Sequence, residues 1–331
     1  MPPLADESTL LRELQGLARQ GRYREVVDRV TALPFSTDAS RSPLALLAAE
    51  AFGRLGREDE AARWAARAYE LARAQHDTAT ELRSVHLQGA ISWQRGALDE
   101  AERHFHRALE LARTLRDVAA EARAFNNLGI LQNLRGDPEE ALATYQLALA
   151  AYQQAGNLRG IAETHTNLEI SWLAMGSARR ARDAADEAVR LAREVGDATL
   201  LAVALVARAE ATLALGDPDL AAAELQRAEE TYDAVQFDAG RAEVRRLQAA
   251  VARDRENLFE SRRLLEAARS LAPQGASLDT QAEIERDLGD VLAALGDGAG
   301  ARAARERALE LFRRLGARAA ERALAALLAA P

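Results

Sequence analysis

The stretch FNNLGILQNLRGDPEEALATYQLALAAYQQAG, residues 125–156, holds two helical patterns separated by one sharp break at Gly136. Asp137 can cap the second helix, Pro138 suits its first turn and Glu140 completes a capping box. Its apolar residues recur at helical spacings: Ala141, Leu142, Tyr145, Ala148, Leu149 and Tyr152. The stretch therefore predicts two antiparallel helices joined by a short turn.

Breaks like the one at Gly136 recur every 40 residues along the chain. They fall at Gly56, Gly96, Gly136, Gly176, Gly216 and Gly296, with Glu256 at the missing mark. A second series lies half a period away, at Gly156, Gly196, Gln236, Ala276 and Gly316. The chain thus turns twice per repeat, which leaves helices of about 17 residues, or roughly 25 Å.

Small residues recur at fixed places in these helix pairs, where two helices can approach closely. The first helix carries Gly129, and the second carries Ala141, Tyr145 and Ala148. Other repeats give Gly89, Ala101, Phe105 and Ala108; Ala49, Ala61, Ala65 and Ala68; and Gly289, Ala301, Arg305 and Ala308. From about residue 8 to 316 this pattern resembles the tetratricopeptide repeat. The period of 40 residues is longer than the common one of about 34 residues. In this respect the chain resembles the long-helix variety of the repeat found in bacterial signal-sensing regulators and spindle-orientation adaptors.

The resemblance implies an all-α fold: an α-solenoid, wound as a right-handed superhelix, of about eight antiparallel helix pairs plus a C-terminal capping helix. We expect one solenoid domain over residues 1–331. Residues 8–33 form an atypical first pair, 41–316 the regular repeats and 317–330 the capping helix. The first pair has Val26, Val30 and Leu33 where alanines belong. Leu324, Leu327 and Leu328 of the cap cover the eighth pair in part, and leftover apolar surface predicts a possible homodimer contact.

Composition excludes several classes of protein. The 331 residues contain no cysteine, so disulfides, thiol catalysis and cysteine–zinc sites are absent. The net charge of −8 argues against a general nucleic-acid binder, and every basic side chain is arginine, as a GC-rich genome alone would produce. MPPLADESTLL lacks the pattern of a signal peptide, and no run of about 18 apolar residues predicts a membrane span. A cytoplasmic location is the default.

Amides and apolar residues share one stripe of the first helices, which line the concave side in arrays of this type. Steps of 40 residues align Arg83 with Arg123, His86 with Asn126, and Trp93 with Asn133. Asn127 aligns with Asn167, and Ile130 belongs to the same stripe. Because an amide both donates to a carbonyl and accepts from an N–H, such rows suit an extended peptide backbone. We therefore predict peptide contacts at Asn127, Asn167, Asn126, Asn133, Arg83, Arg123, His86, Ile130 and Trp93.

In peptide-binding members of the tetratricopeptide repeat family, which this chain resembles, asparagines at the position of Asn127 and Asn167 hold the ligand backbone. The lysine-containing carboxylate clamp of that family is missing here. The alternative is a solvated helix face, on which asparagine is nearly neutral. Trp93 is equally compatible with packing between repeats, whereas Trp64 and Trp172 fall at core positions.

Charged residues raise two further alternatives. Glu169 stands where a small residue is expected; we expect splayed helices that let it reach water, Arg179 or Arg182, and a site carboxylate is the other reading. The C-terminal first helices carry mixed charges that favour a solvated face, although a second partner could use them. These residues are Glu243, Arg246, Arg253, Asp254, Glu283, Arg286, Asp287 and Asp290.

No constellation for catalysis is found, and no cofactor or metal is expected. The five histidines lack metal-ligand spacing, and no phosphate-binding glycine loop or nucleophile elbow occurs. The leading hypothesis is a non-catalytic adaptor or scaffold that binds a protein or peptide segment in its groove. The alternative is a bacterial signal-peptide receptor or sensory regulator acting through a partner, since no DNA-binding or ATPase segment is seen. A regulator-phosphatase is a third reading, but the N-terminal helical bundle of such proteins is not found.

Overall fold

The computed structural model describes residues 7–33, 41–272 and 277–329, which are all-α and contain no strand. Residues 1–6, 34–40, 273–276 and 330–331 lie outside the described residues, so the predicted break at Ala276 and the predicted end of the capping helix at residue 330 fall among them. The described part contains seventeen helices: α1 Glu7–Arg19, α2 Tyr23–Thr31, α3 Ser42–Arg54, α4 Glu58–Ala74, α5 Thr78–Gln94, α6 Leu98–Leu115, α7 Val118–Arg135, α8 Pro138–Gln154, α9 Leu158–Ala174, α10 Ala178–Val195, α11 Ala198–Ala214, α12 Pro218–Val235, α13 Asp238–Asp254, α14 Leu258–Leu271, α15 Leu278–Ala294, α16 Gly298–Leu315 and α17 Arg318–Ala329.

Successive helices pack as antiparallel pairs, and the first helices of neighbouring pairs also touch, as α9 touches α11 and α11 touches α13. The predicted helical-repeat solenoid is confirmed, with eight pairs followed by α17 in the described ranges. The chain divides into two compact units, Met1–Ala124 and Phe125–Pro331, hereafter the first and second unit. The division falls inside α7. That the chain is one domain stays a prediction.

The turns adopt one backbone conformation whether or not they carry glycine. Glu256 and Gln236, at positions where the series lacks glycine, have φ of +60° and +52°. His76 and Arg116 have φ of +56° and extend the half-period series beyond the predicted positions. A bond such as that from Asn257 N to Ala252 O, 2.9 Å, then closes the helix end. The repeat geometry thus imposes a left-handed backbone conformation at the turn, even where a side chain makes that conformation unfavourable.

Side-chain caps begin many of the helices. Asp217, just before α12, accepts from Leu220 N at 3.0 Å. Asp137 stands at the equivalent position before Pro138, but its side chain makes no cap hydrogen bond, so the predicted capping box at Glu140 is wrong. Proline at the first helical position still suits the start of α8 because its missing N–H would have had no helical partner.

The two helices of a pair meet where a small residue faces a large one. A Cβ placed on Gly129 would lie 2.5 Å from Cε1 of Tyr145, and one on Gly89 would lie 2.6 Å from Cε1 of Phe105. Both aromatic rings are fully buried. The alanines predicted at the helix–helix contacts are also buried: Ala61, Ala65, Ala68, Ala101, Ala108, Ala141, Ala148, Ala301 and Ala308. The lack of a side chain at Gly89 and Gly129 therefore lets these two pairs close.

Larger side chains and a terminal helix complete the two ends. In the first pair, Val26 and Val30 are fully buried in place of alanines. At the other end, Leu324 of α17 is buried and Leu328 packs beside it against the eighth pair, as predicted for a cap. Leu327 is 46% exposed, so part of the apolar surface of the cap stays uncovered. The homodimer contact stays a prediction.

The last helix also reaches the turn between α7 and α8. A Cβ on Gly136 would lie 2.6 Å from Cβ of Ala319 in α17. Gly136 has a φ of +90°, so both its backbone conformation and its surroundings exclude a side chain. Within the second unit, the final helix thus contacts the first turn.

Replacing Gly129 by alanine should destabilise the second unit by about 1–3 kcal/mol, because the added methyl group would overlap the buried Tyr145 ring. Gly53→Ala is the control, since a Cβ there meets nothing within 4 Å and should stabilise α3 by about 0.5–1 kcal/mol. Urea unfolding followed by circular dichroism measures both. Equal effects of the two substitutions would contradict the close-approach argument.

Candidate functional site

Asn126 joins two neighbouring first helices in the second unit. Its side chain is buried, and Oδ1 accepts from Thr164 Oγ1 at 3.0 Å and from Asn167 Nδ2 at 3.1 Å. The single hydroxyl proton of Thr164 is shared between this oxygen and Gly160 O, 2.8 Å away, which orients the side chain on α9. The Asn126 oxygen therefore links α7 to α9, and its predicted contact with a peptide stays a prediction.

Asn133 makes a second link two helical turns along α7. Its Nδ2 donates to the hydroxyl of Tyr145 at 3.3 Å, and its Oδ1 accepts from Ser171 Oγ at 2.9 Å. The two asparagines and their partners form a polar seam between successive repeats. Buried polar groups paired in this way fix one register between helices, whereas unpaired ones would destabilise the contact.

Three predicted site residues are half-buried on the same two helices. Asn167 orients its amide through the bond to Asn126, and Asn127 is engaged in an interaction within the protein. Ile130 packs against the cluster around Leu142 and Tyr145, so part of its surface belongs to the core. One turn beyond Asn167, Ile170 is 49% exposed. An amide and an apolar side chain thus stand next to each other on α9.

The other predicted site residues belong to the first unit. Arg83 pairs with Glu50 at 2.8 Å, and both side chains are exposed. His86 lies 5.6 Å from the Phe105 ring, centroid to centroid. Burial, assisted by the positive charge of Arg123, lowers the pKa of His86 to about 4, so the ring is neutral near pH 7. Arg123 is exposed, and Trp93 is half-buried.

The two tryptophans predicted as core residues do pack, although both are half-buried. The ring of Trp64 stacks on Phe52 with centroids 6.4 Å apart. Trp172 contacts the cluster around Tyr145, and the Arg180 guanidinium lies 4.7 Å from its ring centroid. That distance suits a cation–π interaction. The structure therefore confirms the packing role of both rings.

The expectation for Glu169 is wrong. The residue is 1% exposed, and neither carboxylate oxygen has a hydrogen-bond partner. Arg182, its expected partner, instead bonds to Thr212 and Glu224. The helices accommodate Glu169 by an exchange of sizes: where other repeats have Gly129 opposite Tyr145, this repeat has Glu169 with Ala185 at the position of the ring.

Glu169 belongs to a larger group of charges on four successive first helices, here named the carboxylate cluster. Its members are Glu169, Glu210, Glu243, Arg246, Asp279, Glu283, Arg286 and Asp287. The predicted solvated face is wrong at its centre, because Arg246 and Asp287 are buried. Arg253 and Asp254, in contrast, are exposed.

Arg246 is the centre of this cluster. Its guanidinium donates to Glu243 at 2.6 Å, to Glu210 at 3.2 Å and to Asp287 at 3.2 Å, and so joins α11, α13 and α15. Burial opposes its charge, but these carboxylates outweigh burial and raise the pKa of Arg246 well above its ordinary value. Arg286 bonds similarly to Glu283 at 2.9 Å and Asp287 at 3.0 Å.

Several carboxyl groups of the cluster hold their protons more tightly than usual. Burial, and next the charge of Glu210, raises the pKa of Glu169 well above 4.5. Burial raises the pKa of Glu283 to about 7 even though Arg286 and Arg246 oppose the shift. Burial and the charge of Glu243 likewise raise the pKa of Asp279. Burial and the negative charge of neighbouring carboxylates therefore oppose the ionisation of these carboxyl groups.

Sequence reasoning missed Thr164, Ser171, Glu210 and Asp279. Asn126 bonds to residues 38 and 41 positions later, and Arg246 bonds to Asp287 41 positions later. An alignment of the repeats at steps of 40 residues therefore does not pair these residues with their partners. The 38-residue spacing of Asn126 from Thr164 and of Asn133 from Ser171 is the signal that would have found the seam.

Two kinds of feature are missing from the described residues. No group of three or more histidine, aspartate or glutamate side chains there could hold a metal ion. Over the same ranges, no helix combines the length and apolar character needed to cross a membrane.

Comparisons with known proteins support the repeat assignment. Residues 80–154 match the model of the tetratricopeptide repeat. No curated protein matches the sequence. Three solved structures share the fold. Apo RapI is 12% identical, with a TM-score of 0.67 over 84% of this chain and 99% of its own.

The other two structures are complexes. A Rap protein with competence and sporulation factor is 12% identical, with a TM-score of 0.65 over 97% of this chain and 96% of its own. NprR with its cognate peptide NprX is 14% identical, with a TM-score of 0.65 over 98% and 99%. At these identities the likeness concerns the fold.

Glu169→Gln should stabilise the protein increasingly as pH rises from about 5 to about 8. Because the folded-state pKa of Glu169 is raised, folding retains a proton that the unfolded chain loses above pH 4.5. The stability of the wild type relative to the variant therefore falls with pH, by at most about 1.4 kcal/mol per pH unit. Urea unfolding across this range measures the difference.

The control for this series is Glu194→Gln, which removes an exposed carboxylate that pairs with Arg190 on α10. Its effect should stay within about 0.5 kcal/mol of the wild type. A difference between Glu169→Gln and wild type that does not change with pH would show that Glu169 is ionised in the folded protein.

Proposed function

Because the chain is built of tetratricopeptide-type helix pairs, we propose that it is a non-catalytic binding protein for an extended peptide or partner segment. The peptide lies on the first helices of the second unit, and Asn167 is its main backbone contact. The observation that carries the proposal is the pair formed by Asn167 and the exposed Ile170 on one face of α9. An amide for the backbone beside an apolar surface for a side chain is what peptide grooves present.

The bond to Asn126 prepares Asn167 for this role. With Nδ2 donating to Asn126 Oδ1, the amide of Asn167 is held in one orientation, and its Oδ1 lies at the opposite edge of the planar amide group. That oxygen is suited to accept from a peptide N–H. Preorganisation of this kind reduces the entropy lost on binding.

Asn127 is the second proposed backbone contact. It already has an interaction within the protein, so a peptide would exchange with that partner. Asn126 and Asn133 would act mainly by holding α7 against α9 and α8. For Arg83, His86, Trp93 and Arg123 of the first unit, and for Ile130, contact with the peptide stays a prediction.

The solved complexes favour a specific form of this function. NprR is described as bound to its cognate peptide, and a Rap protein as bound to competence and sporulation factor. By analogy with these folds, the chain is a receptor for a short signal peptide and transmits binding to a partner protein. The alternative within the same class is an adaptor that holds a segment of a larger protein. A cytoplasmic location, the absence of nucleic-acid binding and a homodimer through α17 belong to the proposal.

Replacing Asn127 and Asn167 by alanine together should weaken peptide binding at least tenfold, or about 1.4 kcal/mol, because both backbone contacts are lost. Peptides are selected from a random octapeptide library on the immobilised wild type, and their affinities are measured by fluorescence polarisation. Circular dichroism should show unchanged helicity.

The matched control is Gln153→Ala with Gln226→Ala, which removes two exposed amides from the second helices α8 and α12. Its affinity should equal that of the wild type. Unchanged affinity in the asparagine variant would refute the backbone contacts, and selection of no peptide by the wild type would refute peptide binding itself.

A further inference from the structure

The carboxylate cluster carries more negative than positive groups in a confined space. Its six carboxyl groups exceed its two guanidinium groups by four. Both arginines are already engaged: Arg246 with Glu210, Glu243 and Asp287, and Arg286 with Glu283 and Asp287. The cluster therefore has room for further positive charge, which its own residues do not supply.

Glu169 is the independent observation that points to a ligand. It is 1% exposed and both of its oxygens lack a partner. Glu169 on α9 and Glu210 on α11 are 41 positions apart, the same offset as the bonded pairs Asn126–Asn167 and Arg246–Asp287. This register places Glu169 beside Glu210 at the edge of the cluster. A buried carboxyl group without a hydrogen bond is strongly unfavourable, and proteins usually replace such a residue unless it has a role.

We propose that the carboxylate cluster binds the guanidinium or ammonium group of a basic side chain in the peptide. This inference rests on the proposed function and names the class of peptide that the second unit takes. Arg246 shows that the surroundings suit such a group, since one guanidinium already bridges carboxylates from three helices. Planar, multidentate pairing of this kind is the strong form of a charged hydrogen bond.

The incoming cation engages Glu210 on α11 and Glu283 on α15, whose side chains reach solvent and are 34% and 22% exposed. Glu169 supports it from the interior by releasing its proton to solvent and becoming the counter-charge. The charge brought by the cation is thereby balanced by the carboxylate that forms, so the net charge of the cluster does not change on binding.

The position of the basic residue follows from the spacing of the helices. Packed helices lie about 8–10 Å apart, so Asn167 on α9 is about 10 Å from α11 and about 20 Å from α13. An extended peptide advances about 3.3 Å per residue. The basic side chain should therefore lie about three to six residues from the segment held by Asn167.

The experiment uses octapeptide sublibraries in which one position at a time is fixed as arginine or as citrulline, its neutral isostere. For the wild type, arginine sublibraries at the best position should bind at least tenfold more tightly than citrulline sublibraries. In Glu169→Gln with Glu283→Gln this preference should fall below about twofold. Glu266→Gln, which removes an exposed carboxylate on α14 paired with Arg262, should keep it.

The Asn127→Ala and Asn167→Ala variant separates the two proposals. It should weaken arginine and citrulline sublibraries equally and keep their ratio, because it removes backbone contacts. A wild-type preference below twofold, or a preference that survives the Glu169 and Glu283 substitutions, would overturn the cation site and leave peptide binding intact.

If no octapeptide binds the wild type, argininamide and citrullinamide titrations followed by NMR still decide the matter. Selective shifts with argininamide that the glutamine variant abolishes would support a cation site, and identical responses to both compounds would overturn it. Spermidine is a further arm. Tighter binding of spermidine than of every arginine sublibrary would overturn the assignment to a peptide side chain.

Discussion

The close approach of two helices at a small residue is the constraint on which the rest of this structure depends. Gly129 against Tyr145 and Gly89 against Phe105 leave no space for a methyl group. In the repeats that surround these pairs most helices are 17 or 18 residues long, and the turns fall at regular intervals. Regular turns in turn bring the same face of every first helix into contact with its neighbours, which is where the polar seam and the carboxylate cluster form.

The fold was predictable because its signals are local and repeated. Turns recur every 40 residues, and the small residues keep fixed positions between them. Glu256 and Gln236 show that the periodicity is stronger than the residue type, since both take the left-handed conformation without glycine. The cap at α17 followed from the need to cover the last pair. Asp137 failed as a side-chain cap because residue identity alone does not determine side-chain direction.

The site was less predictable, because its contacts cross between repeats with offsets that the period does not give. Asn126 and Asn133 were expected to face a ligand, and both were found to link α7 to its neighbours. Glu169 shows a second limit. Ala185 stands where the preceding repeat has Tyr145, and only the two positions read together reveal the exchange of sizes. A charge that looks misplaced in a pattern can be accommodated by a partner elsewhere in the same repeat.

The contact between Gly136 and Ala319 limits how this protein can evolve. Open arrays grow by duplication of a unit, since each repeat touches its neighbours alone. In the second unit the final helix also packs against a distant element, the turn between α7 and α8. A duplicated or deleted repeat would carry α17 away from that turn. The number of repeats from α7 onward is thus set by geometry, and variation within this part of the chain should proceed by substitution rather than by gain or loss of whole repeats.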